Sequence, residues 1–340
     1  MIFNIAKYHS EDFEHYVITT GGDDINKFES ASIPVTALKY SYLKLVSHVK
    51  IILKILNFCY KNKINIIHSH HRYFDFIAYI ISMFIDVKTI TTVHSKVGGK
   101  GRFSYKSPKI IAVSTSIKDH LMKNFGLAET RIAVIKNFVA ANLTGSGENN
   151  IFSKVKLGIQ ENTKVLGFIG RFDKEKGVDV LLKAYQLLQC KFDLLCLLLI
   201  GNGKELDYYE KIIKENSLMV KIIKPTDNIE SLYHLMDIVI LPSRVDPFPL
   251  VMLEAGLFGK IFIGARVDGI AEFIKDGYDG LLFEPENYLD LKNKISKALS
   301  GEYDTLELGA NLKKKVLNNY TLEKNISRYE DIYKKLTFEN

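Results

Sequence analysis

The feature that most constrains the fold is a regular alternation of short apolar runs with segments of helical periodicity, which begins near Lys164 and continues for over a hundred residues. The apolar runs predict strands at 165–169, 194–200, 220–223, 238–241, 261–264 and 280–283, and the segments between them predict helices at 178–188, 205–215, 229–234, 250–258 and 270–275. Strands that alternate with helices of this length predict a parallel sheet covered on both faces.

The first half of the chain repeats this pattern more loosely. Strands are predicted at 15–20, 64–68, 89–93, 110–113 and 133–135, and helices at 42–60, 74–85 and 117–124. The polar, glycine-bearing stretch 142–150 is typical of a linker. We therefore predict two doubly wound, Rossmann-like α/β domains that face a cleft. Their expected limits are 1–145 and 146–320, with a last helix in 321–340 that braces the first domain.

Composition excludes several other classes of protein. With 47% hydrophobic and 25% charged residues, the chain is not a disordered polymer. Its three cysteines, Cys59, Cys190 and Cys196, lack C-x-x-C spacing, so they predict neither a disulfide framework nor a zinc site. No apolar stretch approaches the ~18–20 residues of a membrane span, and residues 1–8 do not resemble a signal peptide. The expectation is a cytoplasmic protein.

The net charge of +7 is concentrated in one part of the chain. Between Ser30 and Phe74 there is no acidic residue, and the basic residues there account for the whole excess: Lys39, Lys44, Lys50, Lys54, Lys61, Lys63 and Arg72. The helix predicted at 42–60, within the basic segment 39–63, can contact an anionic membrane surface or attract a phosphorylated ligand. The alternative is a core helix with a narrow solvated stripe. Nucleic acid is not expected, because no stacking or groove-reading motif accompanies the charge.

The strongest candidate site is the segment 243–254, SRVDPFPLVMLE, in which a predicted strand leads through a loop into a helix. Backbone N–H groups at the start of that helix would face an anion such as a diphosphate. The segment that would bind the anion is Phe248, Pro249, Leu250 and Val251, and its N–H groups belong to all of these residues except Pro249, which has none. Glu254 could then accept hydrogen bonds from ribose hydroxyls, while Asp246 reaches the sugar. The alternative is that the acidic residue before the helix is only an N-terminal cap.

A second strand–turn–helix follows residue 169. After Gly170, the guanidinium of Arg171 can clamp phosphate oxygens, and Lys176 supplies another cation at the helix entrance. For Lys174 we favour an ordinary solvated position. Gly201 and Gly203 follow the next strand and would let a ligand approach the backbone, although a lone G-x-G is as compatible with a simple turn.

Histidines follow two predicted strands of the first domain. His68, His70 and His71 lack the carboxylate or cysteine partners of a metal site, so we predict that they are packed and hydrogen-bonded. There is also no D-x-D segment, so a metal-clamped nucleotide is not expected. His94 differs, because a glycine-bearing loop that could close over a substrate follows it.

Taken in order, these segments resemble the family-4 glycosyltransferases of the GT-B fold, which are retaining enzymes that use nucleotide sugars. The resemblance is carried by TTVHS (91–95), IIAVS (110–114), RIAVIKN (131–137), IGRFDKEKG (169–177), LIGNG (199–203), DPFPLVMLEA (246–255) and DGIAEFIKDGYDGLLF (268–283). It implies that Arg171 and Lys176 stabilise the departing diphosphate. It also implies that Glu254 holds the ribose, that His94 orients the donor sugar, and that no metal or other cofactor is required.

Two features depart from the family pattern. Asp246 stands where the family has the first glutamate of its E-x7-E motif, which shortens the side chain by one methylene. Family members also open with a β-strand and a glycine-rich loop, whereas residues 1–8 already predict the first helix and 15–20 the second strand. The expectation is either an upstream start or an impaired acceptor domain.

The resemblance implies transfer of a sugar from a nucleoside diphosphate, a UDP-hexose or UDP-N-acetylhexosamine, to a glycan or lipid-linked acceptor of a bacterial surface polysaccharide. The implied location is the cytoplasm, or the inner face of the plasma membrane. Two alternatives stay open: a non-catalytic nucleotide-sugar-binding partner subunit, and an epimerase of the same fold.

Overall fold

The structure, a computed structural model, describes residues 2–21, 25–38, 45–99, 103–141 and 152–338. They divide into two compact units, Met1–Asn137 with Leu322–Asn340, and Phe138–Thr321. The last helix thus belongs to the same unit as the N-terminal half. The predicted linker at 142–150 lies outside the described residues. Within those residues, none of the helices combines the length and the apolar character that crossing a membrane requires.

The elements alternate along the chain as predicted. In the described ranges the helices are α1 (Ile2–Tyr8), α2 (Ile25–Ser30), α3 (Leu45–Lys61), α4 (Arg72–Ser82), α5 (Thr115–Phe125), α6 (Val178–Gln189), α7 (Leu206–Glu215), α8 (Ile229–Leu235), α9 (Leu250–Leu257), α10 (Asp268–Phe273), α11 (Tyr288–Leu299), α12 (Thr305–Asn319) and α13 (Leu322–Phe338). The strands are β1 (Val17–Thr19), β2 (Val35–Ala37), β3 (Ile66–Ser69), β4 (Lys88–Val93), β5 (Lys109–Ala112), β6 (Ile132–Val134), β7 (Lys164–Ile169), β8 (Leu195–Ile200), β9 (Val220–Ile223), β10 (Ile238–Leu241), β11 (Ile261–Ala265) and β12 (Leu281–Phe283).

The sheet of the first unit is divided in two. Strands β1 and β2 form one parallel pair, and β3, β4, β5 and β6 form a separate parallel sheet in that order. A cavity of about 1260 Å³ is lined by residues of both β1 and β3. In the part of the chain that the structure describes, no strand lies between them. Among the described residues α1 is the first element, so the helix predicted at residues 1–8 is confirmed.

Helices α3 and α4 cover the first unit's sheet with apolar side chains at helical spacing. Ile51, Ile55 and Cys59 repeat every four residues and are buried against Ile77 and Ile81 of α4. The predicted helix at 42–60 is thus confirmed over its described part, from residue 45.

A buried carboxylate ties α4 to the segment before β5. Asp75, in the first turn of α4, is buried and accepts hydrogen bonds from the N–H of Lys106 at 2.6 Å and of Ser107 at 3.2 Å. The hydroxyl of Ser107 donates a third bond at 2.5 Å. A negative charge near a helix N-terminus is also stabilised by the helix dipole. The three donors replace the water that this carboxylate loses on burial.

Replacing Asp75 with alanine should lower the free energy of unfolding by about 3 kcal/mol, because hydrogen bonds to a charged group are strong and their donors would be left buried. The matched control is Asp86→Ala, since Asp86 is exposed and should cost less than about 0.5 kcal/mol. Urea unfolding followed by circular dichroism measures both. Equal losses in the two variants would contradict this role for Asp75.

The second unit is one parallel sheet in the order β12-β11-β10-β7-β8-β9. Strand β7 is central, and the winding reverses between β7 and β10, which is the arrangement of a doubly wound sheet. All six residues of β8 are buried, as are all four of β10, which explains their continuous apolar sequences. The predicted limits of β10, 238–241, are confirmed.

Helices α11 and α12 were not among the predicted elements. In α12 the buried side chains Leu308, Leu312 and Val316 form one narrow row, and most other positions are polar. This row packs against α9. A single row of three apolar residues is a weak periodic signal, so only tertiary packing identifies this helix.

Candidate functional site

The centre of the candidate site is an ion pair between the segments that follow β7 and β10. The Nζ of Lys176 donates to Oδ2 of Asp246 at 2.5 Å, and both side chains are largely buried. The hydroxyl of Ser243 donates to the same oxygen at 3.2 Å. Since β7 and β10 flank the point where the winding reverses, the pair lies where open α/β sheets bind ligands.

The Asp246 carboxylate is held by opposing electrostatic effects. Burial raises its pKa above the usual value, while the charge of Lys176 and the hydrogen bonds from Lys176 and Ser243 act in the opposite direction. The negative charge of Asp268 raises the pKa further, and Oδ2 of Asp268 accepts the backbone N–H of Asp246 at 3.1 Å. Lys176 is thus the cation of a site that otherwise carries negative charge.

The turn that carries Lys176 is shaped by its neighbours. Oδ1 of Asp173 caps the turn by accepting the N–H of Lys176 at 3.1 Å. Gly177 has φ +67°, and a Cβ there would lie 2.1 Å from the carbonyl oxygen of Pro242. Only glycine permits both this conformation and this approach. The backbone of Lys176 is therefore held against the segment that leads to Asp246.

Arg244 also forms hydrogen bonds with the turn that carries Lys176. Its backbone N–H donates to the carbonyl of Glu175 at 2.7 Å, and Nη1 donates to the carbonyl of Lys174 at 2.6 Å. Its guanidinium also forms a bidentate pair with Asp179, at 2.9 and 2.8 Å, and Nε donates to Glu286 at 2.8 Å. Burial opposes ionisation of Asp179, but hydrogen bonds and charge from Arg244 outweigh it and lower the pKa of that carboxyl.

Arg171, by contrast, does not approach Asp246. Its side chain is 71% exposed, and Nη2 lies 3.3 Å from Oδ2 of Asp173 and 3.8 Å from Oε2 of Glu175. Lys174 is exposed, as predicted. The structure thus shows one of the two candidate cations buried against Asp246, and the other exposed and paired with carboxylates of its own turn.

The candidate glycines bring two loops together. The N–H of Phe172 donates to the carbonyl of Asn202 at 2.9 Å. A Cβ at Gly201 would lie 1.9 Å from the carbonyl oxygen of Gly170, and a Cβ at Gly203 would lie 2.4 Å from that of Phe172. Glycine is therefore required at 201 and 203 because the two backbones are in contact there. The sequence analysis considered only ligand contact or a simple turn at these positions.

The start of α9 has no side-chain cap. Pro249 is its N-cap, and no side chain caps the helix before Leu250 and Val251. An uncapped N-terminus is favourable for an anion. The side chain of Phe248 is buried, with its ring centroid 5.6 Å from that of Phe273. A ligand could therefore contact the backbone of Phe248 but not its side chain.

Glu254 lies in the second turn of α9 and is fixed by a residue that the sequence analysis missed. The hydroxyl of Tyr233, on α8, donates to Oε2 of Glu254 at 2.7 Å. Burial raises the pKa of Glu254, and the hydrogen bond from Tyr233 partly offsets this effect. No spacing in the sequence links these two residues, so only the fold reveals the contact.

In the first unit, His94 follows β4 and pairs with another histidine. Its Nε2 lies 3.0 Å from Nδ1 of His70. Burial lowers the pKa of His94 to about 4 and that of His70 well below its usual value, so both rings are neutral at pH 7. One ring therefore donates and the other accepts. In the loop after His94, the carbonyl of Gly98 accepts from Arg72 at 2.8 Å; Gly101 lies outside the described residues.

Of the remaining histidines of this edge, His68 is packed and hydrogen-bonded, as predicted, whereas His71 is hydrogen-bonded but exposed, so the prediction that it is packed was wrong. His68 contacts the hydroxyls of Tyr333 and Thr92 at 2.5 and 2.7 Å, and burial lowers its pKa to about 3. His71 caps α4 by accepting the N–H of Tyr73. Among the described residues, no three His, Cys, Asp or Glu side chains form a group that could hold a metal ion.

Comparisons with known proteins identify the family. Residues 1–143 match Glycosyltransferase Family 4, and residues 149–317 match Glycosyl transferases group 1. The chain belongs to the family-4 glycosyltransferases, and its fold is that of the GT-B enzymes. It is therefore a glycosyltransferase, as the resemblance predicted.

Two sequence relatives and one solved structure are similar to the chain. A glycosyltransferase of Methanocaldococcus jannaschii is 29% identical and aligns over 98% of this chain and 90% of its own length. The lipopolysaccharide 1,2-N-acetylglucosaminetransferase of Salmonella typhimurium is also 29% identical, over 66% of this chain and 61% of its own. The structure of HepE from Anabaena, solved with UDP-glucose, superimposes with a TM-score of 0.87 at 20% identity, over 98% of this chain and 94% of that one.

Replacing Arg244 with alanine should destabilise the second unit by about 2 kcal/mol, because it breaks the bidentate pair with Asp179 and removes the Nη1 donor from the carbonyl of Lys174. The control is Arg266→Ala, which removes an exposed arginine that also pairs with two carboxylates, those of Asp276 and Glu284. Its expected cost is below about 1 kcal/mol. Urea unfolding measures both variants, and equal losses of unfolding free energy would contradict this role for Arg244.

Proposed function

We propose that the chain is a retaining glycosyltransferase that takes its sugar from a nucleoside diphosphate, a UDP-hexose or UDP-N-acetylhexosamine. The observation that carries the proposal is the buried Lys176–Asp246 pair at the point where the winding of the sheet reverses. A diphosphate can replace Asp246 as the partner of Lys176. The complex of HepE with UDP-glucose supports this class of donor.

Charge on the leaving diphosphate would be balanced by protein groups alone. Lys176 supplies one cation, and Arg171, which is exposed and reaches only carboxylates on its own turn, can rotate to supply another. The uncapped N–H groups at the start of α9 add a partial positive charge. Donors aimed at developing negative charge are the main source of electrostatic catalysis. We therefore propose that transfer requires no metal cofactor.

The other groups would orient the donor. Glu254, directed by Tyr233, accepts hydrogen bonds from ribose hydroxyls. When Lys176 turns to the diphosphate, Asp246 becomes available to the sugar hydroxyls. The resemblance assigns His94 to the donor sugar, and its neutral ring, paired with His70, offers a hydrogen bond without adding positive charge.

The reaction exchanges one bond at the anomeric carbon for another. The bond to the diphosphate oxygen breaks, and the acceptor hydroxyl forms a new bond on the same face of the sugar. The acceptor hydroxyl is itself the nucleophile, so no protein nucleophile is needed. Its proton passes to the leaving diphosphate. Positive charge that develops at the anomeric carbon would be stabilised by the departing anion.

The proposed acceptor is a glycan or lipid-linked oligosaccharide of a bacterial surface polysaccharide. The Salmonella relative, a lipopolysaccharide N-acetylglucosaminetransferase, supports this class. The proposed location is the cytoplasm, at the inner face of the plasma membrane.

Replacing Lys176 with alanine should lower kcat at least about 100-fold, because the leaving diphosphate loses its buried cation. Arg171→Ala should also lower kcat. Lys174→Ala is the matched control, since this exposed lysine lies two residues away and should leave kcat within about twofold. The assay follows nucleoside diphosphate release and glycan product over a panel of nucleotide sugars, in EDTA.

Unchanged turnover in the Lys176 variant would contradict the proposal. Nucleotide binding without product from any donor would instead identify a non-catalytic partner subunit. Conversion of the donor sugar in the absence of acceptor would identify an epimerase. The anomeric configuration of the product, read by proton NMR, tests retention.

A further inference from the structure

Helix α3 carries a row of large apolar side chains on its solvent side. They lie three, four and seven residues apart, which places them on one stripe of the helix. The row consists of Val46, Val49, Leu53 and Tyr60, which are 50–75% exposed. The buried residues of the same helix, Ile51, Ile55 and Cys59, lie on the opposite face. This helix therefore has two apolar faces, of which the unit's core covers one.

A row of lysines runs beside the exposed apolar row. Lys50, Lys54 and Lys61 are all exposed and fall along one side of the helix, and Lys63 follows its end. No acidic residue occurs from position 31 to 73 to offset them. A solvated stripe of a core helix would be polar throughout. The exposed apolar row therefore decides against that interpretation, which the sequence left open.

Further exposed apolar residues lie near the end of α3. Met83 and Phe84, directly after α4, are both exposed. The segment that follows them returns to the edge where β3 and β4 begin, because the N–H of Lys88 donates to the carbonyl of Asn65 at 2.8 Å. Helix α3 ends at the same edge, just before β3. Tyr60 and these two residues are thus exposed at one edge of the unit.

We propose that α3 is a membrane-contact helix that lies in the interface of an anionic bilayer. The apolar row enters the boundary between headgroups and acyl chains, while the lysine stems follow it and their ammonium groups reach the lipid phosphates. Anionic lipid supplies the negative charge that α3 itself lacks. A second copy of the chain does not, because pairing two such faces would bring lysine rows together without an acidic partner.

This inference goes beyond the proposed chemistry, because it identifies the surface and the partner that would hold the enzyme near a lipid-linked acceptor. It does not depend on the donor site. Helix α3 belongs to the first unit, and Lys176 and Asp246 belong to the second. Vesicle binding and sugar transfer can therefore be measured separately.

The chain has no tryptophan, so one introduced indole reports on its own position. In Tyr60→Trp, vesicles of equimolar phosphatidylglycerol and phosphatidylcholine should shift the emission to shorter wavelength, and pure phosphatidylcholine vesicles should not. Tyr208→Trp is the control, because Tyr208 is an exposed tyrosine of α7 in the other unit. Its emission should not change with either vesicle.

Vesicle sedimentation of variants tests the two rows. Replacing Lys50, Lys54 and Lys61 with glutamine should lower the partition coefficient about 100-fold, at about fivefold per lysine. The control with the same net charge replaces the exposed Lys204, Lys313 and Lys314.

The double variant Val49→Ser/Leu53→Ser should lower the partition coefficient about tenfold per side chain. Leu289→Ser/Leu306→Ser, two exposed leucines of the second unit, is its control.

Three outcomes would overturn the proposal. They are no binding to anionic vesicles, equal binding by the α3 variants and their controls, and a dimer in gel filtration that Val49→Ser/Leu53→Ser dissociates. The α3 variants should keep the circular dichroism spectrum and the transfer rate to a water-soluble acceptor. Absence of transfer by the unaltered protein would count against the proposed function and not against the membrane contact.

Discussion

The Lys176–Asp246 ion pair is the interaction on which the organisation of the second unit's site depends. It joins two turns that are 70 residues apart in the chain and come together because β7 and β10 are neighbours in the sheet. A lysine and an aspartate removed from water are stable only when each has its partner and further hydrogen bonds. Around this pair, Asp173, Gly177 and Arg244 all act on the Lys176 turn and fix the backbone that carries the cation.

This arrangement also accounts for how a diphosphate could be recognised. Burial disfavours the charge of Asp246, so the protein stabilises that charge with Lys176 and Ser243. A diphosphate brings more negative charge than one carboxylate and can compete for the same ammonium group. Asp246, shorter than the glutamate of the family motif, still reaches Lys176 at 2.5 Å. A side chain of this length is therefore sufficient to form the pair.

The sequence predicted the main features of the fold because they depend on local patterns. The limits of β10 and the start of α6 follow from apolar runs and from Gly177, and both agree with the structure. Strand β2 was missed, since its three residues, VTA, carry almost no apolar signal. The division of the first sheet was not predicted, because strand pairing depends on contacts that a sequence pattern does not state.

The candidate site was predictable residue by residue but not as a set of contacts. Lys176 and Asp246 were each selected, yet no sequence pattern states that they touch each other. Arg244 and Tyr233 were not selected, because their roles arise from contacts between elements that are distant in the chain. The exposed apolar row of α3 was likewise invisible, since periodicity shows which residues share a face and not whether that face is covered.

The most direct measurement is a crystal structure of the protein with UDP and with a UDP-sugar, grown without divalent metal. We expect that Nζ of Lys176 leaves Asp246 and lies within hydrogen-bond distance of a diphosphate oxygen, near the start of α9. A nucleotide bound elsewhere, with the Lys176–Asp246 pair intact, would contradict it.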